Sequence, residues 1–244
     1  MKMISIGVDE AGRGPVIGPL IVCALKIPDL NRDVLEWIGA RDSKELTAKA
    51  RKIIAEQIEK AAEKYNWGIG LVICPPSRID LNKSVSDLNS LEIELFAEAI
   101  RLSSNSNENG IILADACDSN AGRFGKRLEN ALGENWGNWE IDSRHGMDSI
   151  DPVAGAASIL AKVCRDSEIE KIAAGYDFEI GSGYPSDPKT RIAIKKMLEG
   201  ELPANCLRWT WSTISDLWSE VHSTPVPVRT EDGGGIIQSS LDDW

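Results

Sequence analysis

The sequence predicts an α/β protein in which a mixed β-sheet is flanked by helices, with a helical C-terminal extension. Two apolar runs near the start, MISIGVDE and GPLIVCALKI, are rich in Ile and Val and are joined by a Gly/Pro turn, which is typical of a β-hairpin. Further strand patterns then alternate with helical ones, and only helical patterns follow the last strand. This order favours a mixed sheet.

Strand and helix patterns cover most of the chain. Besides the hairpin, strands are predicted at WGIGLVICP, GIILADACD and NWEID, which brings the sheet to five strands. Helical spacing and strong helix formers predict helices over 47–65, 85–104, 123–132, 153–173, 186–198 and 212–222. The small residues of the 153–173 segment suit close packing against a neighbour.

The composition is that of a globular protein in a reducing compartment. The 244 residues are 42% hydrophobic and 27% charged, which are ordinary values for a soluble domain. The five cysteines are scattered and form no CxxC pair, which argues against a disulfide framework and against a zinc site. Because neither an apolar run of about 18 residues nor a signal peptide is found, we expect a cytoplasmic protein without a membrane partner.

The net charge of −11 speaks against a nucleic-acid partner, since proteins that bind nucleic acid usually carry a basic surface. Net charge says little about any one face, however. For a nucleic-acid ligand we expect a basic groove around Arg13, Lys44 and Lys162, and binding that weakens as salt rises.

Carboxylates recur at the ends of predicted strands. Asp9 and Glu10 end the first strand, Asp115 ends a buried one, and Asp148 precedes a helix, where an ordinary polar loop is the alternative. Neighbouring strand residues point to opposite faces, so Asp9 and Glu10 cannot both face solvent on a half-buried hairpin. Clustered carboxylates raise one another's pKa values unless a cation neutralises them. Four of them converging at one sheet edge suit two Mg²⁺ ions acting on a phosphodiester.

The turn Gly12-Arg13-Gly14-Pro15 follows the first two acids directly. Glycine and proline after a strand often form nothing more than a turn. A Gly-rich turn also lets backbone N–H groups approach a ligand closely. A phosphate-binding P-loop needs Gly-Lys-Ser/Thr, which is absent, and the dinucleotide fingerprint GxGxxG is not matched, so both nucleotide interpretations are poor.

Five motifs in order resemble the ribonuclease HII family, in its archaeal and eukaryotic branch: GVDEAGRGPVIGPLIV, DSKELT, GAASILAKVCRD, GSGYPSDPKT and RWTWST. The resemblance covers roughly residues 3–220. It implies a ribonuclease H-like fold and an endonuclease of the EC 3.1.26.4 type that cuts the RNA strand of RNA–DNA duplexes. It further implies cleavage on the 5′ side of a single ribonucleotide embedded in DNA, which leaves a 3′-hydroxyl and a 5′-phosphate.

The resemblance also implies roles for particular residues. It places the metal-binding and catalytic carboxylates, with two Mg²⁺ or Mn²⁺ ions, at Asp9, Glu10, Asp115 and Asp148. It places the substrate contacts at Gly12, Arg13, Gly14, Lys44 and Tyr184. In the family the backbone of the glycine-arginine-glycine turn contacts the 2′-hydroxyl, the group that distinguishes RNA from DNA, and the tyrosine stacks on the following deoxyribose.

Several assignments around these residues stay open. Lys162 and Arg165 support the site or contact phosphate, although a helix ion pair between Arg165 and Asp166 fits equally well. His145 is either structural or a proton shuttle.

One departure from the family lies beside the fourth acid. Related sequences usually read His-Lys-Ala-Asp there, whereas this chain reads His-Gly-Met-Asp over 145–148. The missing lysine removes a positive charge from the site. Asp142 and Asp151 compete with Asp148 for the role of fourth carboxylate.

The C-terminal tail resembles the peptide by which replication proteins dock on the sliding clamp, PCNA. Gln238, Leu241 and Trp244 stand at i, i+3 and i+6, and the pattern stops one aromatic residue short. A chance match in an acidic tail is the alternative. The sequence thus predicts a catalytic domain over 1–222, a flexible Pro- and Gly-rich linker over 223–235 and a clamp-binding peptide over 236–244.

Taken together, these features predict a monomeric nuclease that serves ribonucleotide excision and the removal of primers or hybrids. Its substrates are then RNA–DNA hybrids and DNA with embedded ribonucleotides. Two alternatives stay open: a broader hybrid nuclease with little junction preference, against which Tyr184 argues, and a non-catalytic, clamp-associated nucleic-acid binder.

Overall fold

A computed structural model of the chain describes residues 3–40 and 46–237. The chain divides into two compact units, each with its own hydrophobic core. The first unit comprises Met1–Ala11, Ile21–Ile73 and Asn89–Cys164, and the second comprises Gly12–Leu20, Cys74–Leu88 and Arg165–Trp244.

The first unit is built on a five-stranded sheet in the order β3-β2-β1-β4-β5. The strands are β1 (Ile4–Ala11), β2 (Leu20–Pro28), β3 (Gly68–Cys74), β4 (Gly110–Asp115) and β5 (Trp139–Arg144). β1 pairs antiparallel with β2, whereas β4 runs parallel to both β1 and β5. The predicted mixed sheet and its opening hairpin are therefore confirmed.

Nine α-helices are described. They are α1 (Arg32–Ile38), α2 (Ala48–Tyr65), α3 (Pro76–Lys83), α4 (Leu88–Ser103), α5 (Ala121–Leu132), α6 (Met147–Ile150), α7 (Pro152–Ala173), α8 (Pro188–Met197) and α9 (Ser212–Val221). The six predicted helices correspond to α2, α4, α5, α7, α8 and α9. The sequence interpretation missed α1, α3 and α6 because each spans eight residues or fewer, too short to display a clear helical period. None of the described helices is long and apolar enough to cross a membrane.

Close packing between β1 and α7 fixes one wall of the first unit. A Cβ atom on Gly7 would lie 2.3 Å from backbone atoms of Val153 and Ala154, so only glycine fits at this contact. The first half of α7, from Val153 to Ala161, is buried. The small residues of this helix therefore pack closely, as the sequence predicts, and they hold α7 against the strand that carries Asp9.

A loop and a hairpin organise the second unit. The segment 12–20 pairs with residues near 207 through an antiparallel bridge between Ile17 and Leu207. β6 (Val228–Arg229) and β7 (Gly235–Ile236) form a short antiparallel hairpin.

This hairpin lies largely within the segment 223–235, which the sequence predicts to be a linker. Arg229 is 6% exposed and donates from Nε to Oδ2 of Asp80 at 3.0 Å. The same carboxylate accepts from the backbone N–H groups of Trp209 and Thr210, each at 3.0 Å. The Pro and Gly content of the segment gives no sign of the contact between Arg229 and Asp80, because the two residues lie far apart in the sequence.

Candidate active site

Three of the predicted carboxylates come together at the end of the central strands. β1 and β4 are parallel neighbours with Val8 opposite Ala114, so Asp9 and Asp115 leave the sheet at the same edge. Asp148 joins them from the first turn of α6. One carboxylate oxygen from each of the three residues lies within 4.8 Å of the others.

Burial and the repulsion of its neighbours make Asp9 costly to ionise. Asp9 is 4% exposed, and burial together with the charge of Asp115 raises its pKa to about 6. A hydrogen bond from the Ser158 side chain acts in the opposite direction and favours the ionised form. Buried carboxylate oxygens of this kind are the hard donors that Mg²⁺ and Mn²⁺ prefer, and such an ion relieves the repulsion between them. The residues present therefore fit a divalent metal ion.

Glu10 belongs to a second, adjoining group. Its oxygen lies within 4.8 Å of a Glu92 oxygen and of the Cys117 sulfur. Burial raises its pKa well above the usual range, and the charges of Asp9 and Glu92 add to the effect. Glu10 also comes within hydrogen-bonding reach of the Asp9 carboxyl group. Asp9 and Glu10 thus face different neighbours, as their adjacent positions on a strand require.

Glu92 was not identified from the sequence. It is fully buried on α4, among Leu91, Leu95 and Phe96. Glu92 could have been recognised because it occupies a position on the apolar face of an amphipathic helix, where a glutamate is unusual.

The His-Gly-Met-Asp segment supports Asp115 through its backbone. Gly146 donates its N–H to Oδ1 of Asp115 at 2.7 Å, and the N–H of Met147 reaches the same atom at 3.3 Å. Gly146 has φ +70°, in the left-handed region that favours glycine. His145 bonds through Nε2 to the carbonyl oxygen of Asp118 at 2.7 Å, which holds its ring against backbone.

Lys162 supplies positive charge near the cluster from α7. Its Nζ donates to Ser158 Oγ at 2.7 Å and lies 3.9 Å from Oδ2 of Asp148. Ser158 and Lys162 stand one helical turn apart, so both project toward the carboxylates from the same face of α7.

The two competing acids have other partners. Asp142 accepts from Arg144 at 2.8 and 2.7 Å. Asp151 accepts from Arg32 at 2.7 Å and from the N–H of Val153 at 2.8 Å, near the start of α7. Of the three alternatives, only Asp148 lies in the carboxylate cluster.

The predicted substrate contacts of the second unit are also assembled. A Cβ atom on Gly14 would lie 3.7 Å from Cε1 of Tyr184, and Val16 donates its N–H to the carbonyl oxygen of Gly183 at 2.8 Å. Tyr184 is 41% exposed. The Arg165 guanidinium lies 5.3 Å from the centre of its ring.

Arg165 has two further contacts. It donates from Nη2 to the carbonyl oxygen of Ser182 at 2.6 Å and approaches Asp166 at 3.4 Å. Both readings of Arg165 therefore have a contact in the structure. Four residues lie outside the described part of the chain: Lys44, Gln238, Leu241 and Trp244.

The comparison with known proteins decides the family. The family model described as ribonuclease HII matches residues 6–214. The chain belongs to the ribonuclease HII family. It is therefore an endoribonuclease of the kind that acts on RNA–DNA hybrids.

Individual relatives agree with this assignment. Ribonuclease HII of Methanocella arvoryzae is 41% identical over 210 residues, which is 85% of this chain and 88% of the relative. The crystal structure of ribonuclease H2 from Pyrococcus horikoshii matches with a TM-score of 0.77 at 33% identity and covers 90% of this chain and 99% of the other. The structure of the PCNA:RNase HII complex from Archaeoglobus fulgidus matches with a TM-score of 0.74 at 31% identity, covering 98% and 100%. The ribonuclease H-like fold expected from the motifs is confirmed.

Proposed function

We propose that this ribonuclease HII cuts DNA duplexes on the 5′ side of an embedded ribonucleotide and leaves a 3′-hydroxyl and a 5′-phosphate. The observation that carries the proposal is the cluster of Asp9, Asp115 and Asp148, in which one oxygen of each lies within 4.8 Å of the others and Asp9 and Asp148 are buried. Three acids at this spacing are unfavourable without a cation, and phosphodiester hydrolysis is a reaction that such cations promote.

Each acid has a role in this proposal. Asp9, Glu10, Asp115 and Asp148 would hold two Mg²⁺ or Mn²⁺ ions. When bound, the ions supply a Lewis acid that favours attack by water and departure of the 3′-oxygen. Gly146 and Met147 orient the Asp115 carboxylate through their N–H groups, which gives the carboxylate a fixed direction. Lys162 limits the negative potential that an incoming phosphate meets.

Recognition of the ribonucleotide rests on the second unit. The backbone of Gly12, Arg13 and Gly14 contacts the 2′-hydroxyl, and Tyr184 stacks on the sugar that follows. The Tyr184 ring lies 3.7 Å from the place where a Cβ atom on Gly14 would stand, which supports this role because one nucleotide step can then meet both groups. Arg13 and Lys44 contact the phosphate backbone.

The tail extends the proposal to a protein partner. Gln238, Leu241 and Trp244 bind a PCNA-type sliding clamp, which raises the concentration of the nuclease at replicated DNA. The Archaeoglobus fulgidus relative is known in a complex with PCNA, and its match spans 98% of this chain. In this proposal a monomer acts in ribonucleotide excision and in the removal of primers or hybrids.

The test uses an end-labelled DNA duplex with one ribonucleotide and an all-DNA duplex of the same sequence, each with Mg²⁺ or Mn²⁺. We expect one cut 5′ to the ribonucleotide, no cut in the all-DNA duplex and no product from Asp115→Asn. Asp142→Asn is the matched control, because Asp142 lies opposite Leu113 on the neighbouring strand, pairs with Arg144 and lies outside the cluster. This control should cleave like the unaltered protein.

Other outcomes would identify the alternatives. Efficient cutting of a long RNA strand with no cut at the single ribonucleotide would favour the broader hybrid nuclease. Binding without any cut in either metal would contradict the proposed chemistry.

A further inference from the structure

Arg208 is a buried arginine whose hydrogen bonds converge on the glycine-arginine-glycine turn. It is 0% exposed. Its three hydrogen bonds to described residues all go to backbone carbonyls: from Nη2 to Gly12 at 2.5 Å, from Nη1 to Arg13 at 2.8 Å and from Nε to Gly18 at 3.0 Å. The guanidinium also lies 5.0 Å from the centre of the Trp211 ring.

The backbone around Arg208 fixes where this side chain begins. Arg208 donates its N–H to the carbonyl oxygen of Val16 at 2.9 Å, and Gly18 donates to the carbonyl oxygen of Cys206 at 2.8 Å. These bonds flank the bridge between Ile17 and Leu207. The backbone of Arg208 is therefore paired, as in a β-sheet, with the segment that its side chain binds. This pairing fixes the position from which the rigid guanidinium reaches the carbonyls.

Peptide geometry converts these contacts into an orientation of donors. In a planar trans peptide the C=O and the following N–H point in opposite directions. Holding the Gly12 carbonyl toward Arg208 therefore turns the N–H of Arg13 the other way, and holding the Arg13 carbonyl does the same for the N–H of Gly14. Gly14 is itself an exposed residue.

Burial of the guanidinium is compatible with a permanent charge. Desolvation lowers the pKa of Arg208 to about 10, which leaves it protonated near neutral pH. A charged donor binds carbonyls more strongly than a neutral one does. The turn is thus held by charge-assisted hydrogen bonds in a place where its two glycines offer little rigidity.

We propose that Arg208 is the positioning residue that aims the N–H groups of Arg13 and Gly14 at the 2′-hydroxyl of the ribonucleotide. This inference rests on the proposed function, because it assigns the source of the proposed discrimination between ribonucleotide and deoxyribonucleotide. Arg208 touches no substrate itself in this account. It acts by keeping two donors in one direction before the duplex arrives, so that binding does not have to order them.

The test measures binding rather than stability. Fluorescence anisotropy gives the Kd of a duplex with one ribonucleotide and of its all-DNA counterpart, in the cleavage-deficient Asp115→Asn background with Mg²⁺. Arg208→Lys keeps the charge and loses the fork. We expect the preference for the ribonucleotide, expressed as the ratio of the two Kd values, to fall about tenfold, the worth of one or two net hydrogen bonds.

Arg229→Lys is the matched control. Arg229 is also buried, binds the Leu207 carbonyl at 2.9 Å and lies 4.0 Å from the Trp209 ring, yet its hydrogen bonds go to other parts of the second unit. It should lose thermal stability and keep the ratio. An unchanged ratio in Arg208→Lys, or an equal fall in both variants, would overturn the positioning role.

A second variant covers the case in which Arg208→Lys does not fold. Trp211→Leu removes the ring that packs beside the guanidinium, so the fork is held less firmly toward the carbonyls, and the position is only half-buried. A lower ratio supports the inference, and an unchanged one overturns it. Failure of the proposed function looks different: the protein with Arg208 intact would then show no preference between the two duplexes, and the inference would fall with it.

Discussion

Buried charged groups have different neighbours in the two units. Acids lie beside other acids in the first unit, whereas the buried arginines of the second unit lie beside hydrogen-bond acceptors. Burial and like-charge neighbours raise the pKa values of Asp9 and Glu10. Arg229, by contrast, faces the Asp80 carboxylate, and Arg208 is held by three carbonyls. A buried charge is costly unless it is paired. The two buried arginines thus have partners within the second unit, whereas a divalent cation would relieve the repulsion within the cluster.

The largest effect should come from neutralising the cluster. Asp9→Asn should lower cleavage by about a thousandfold or more, because the metal loses a central ligand. The same change should raise the free energy of unfolding in EDTA, because it removes a desolvated charge. Steady-state cleavage and urea unfolding measure the two effects. Lower stability in EDTA would show that the cluster is not strained without metal.

The opposite result is expected for the paired charge of the second unit. Asp80→Asn leaves the guanidinium of Arg229 buried without its carboxylate and should cost about 3 to 5 kcal/mol of unfolding free energy. Thermal and urea unfolding provide the measurement, and adding Mg²⁺ should not restore the loss. A cost below about 1 kcal/mol would mean that this pair does not anchor the hairpin.

The pH dependence of stability sharpens the contrast. The pKa of Asp9 is about 6 in the folded chain, above the ordinary value of 3.8, so the folded state holds a proton that the unfolded state has lost. Stability from this group is therefore fully present below about pH 4 and is lost as pH rises through 6, by up to about 3 kcal/mol.

Urea unfolding in EDTA between pH 4 and 7.5 tests this loss, and Asp9→Asn is the control that should lack it. Saturating Mg²⁺ should flatten the profile. A rise in stability over the same window would contradict the strain assigned to the cluster.

An exposed ion pair sets the lower end of the scale. Lys195 and Glu220 are 2.5 Å apart with about half of each side chain exposed. Lys195→Ala should change the unfolding free energy by less than about 1 kcal/mol, since solvent screens such pairs. Activity should be unaltered. A larger loss of unfolding free energy would mean that this exposed pair stabilises the fold as much as the buried ion pair of Asp80 does.

The sequence predicted the features that depend on local patterns and missed those that depend on partners distant in the sequence. Asp9, Asp115 and Asp148 lie near the ends of strands or helices. The positions of these acids in the sequence were therefore enough to predict that they converge at one edge of the sheet. Glu92 and Arg229 were missed because their significance comes from partners far along the chain. The same holds for Gly146, whose backbone N–H takes part in the site although its side chain offers nothing to recognise.

The hairpin of β6 and β7 also limits how far the proposed clamp-binding peptide can reach. Because Arg229 ties this segment down, the chain leaves a fixed point at Ile236 rather than at residue 222. Eight residues remain from there to Trp244, and fully extended they span at most about 28 Å. If a clamp binds that tryptophan as proposed, the nuclease is held within this distance of it.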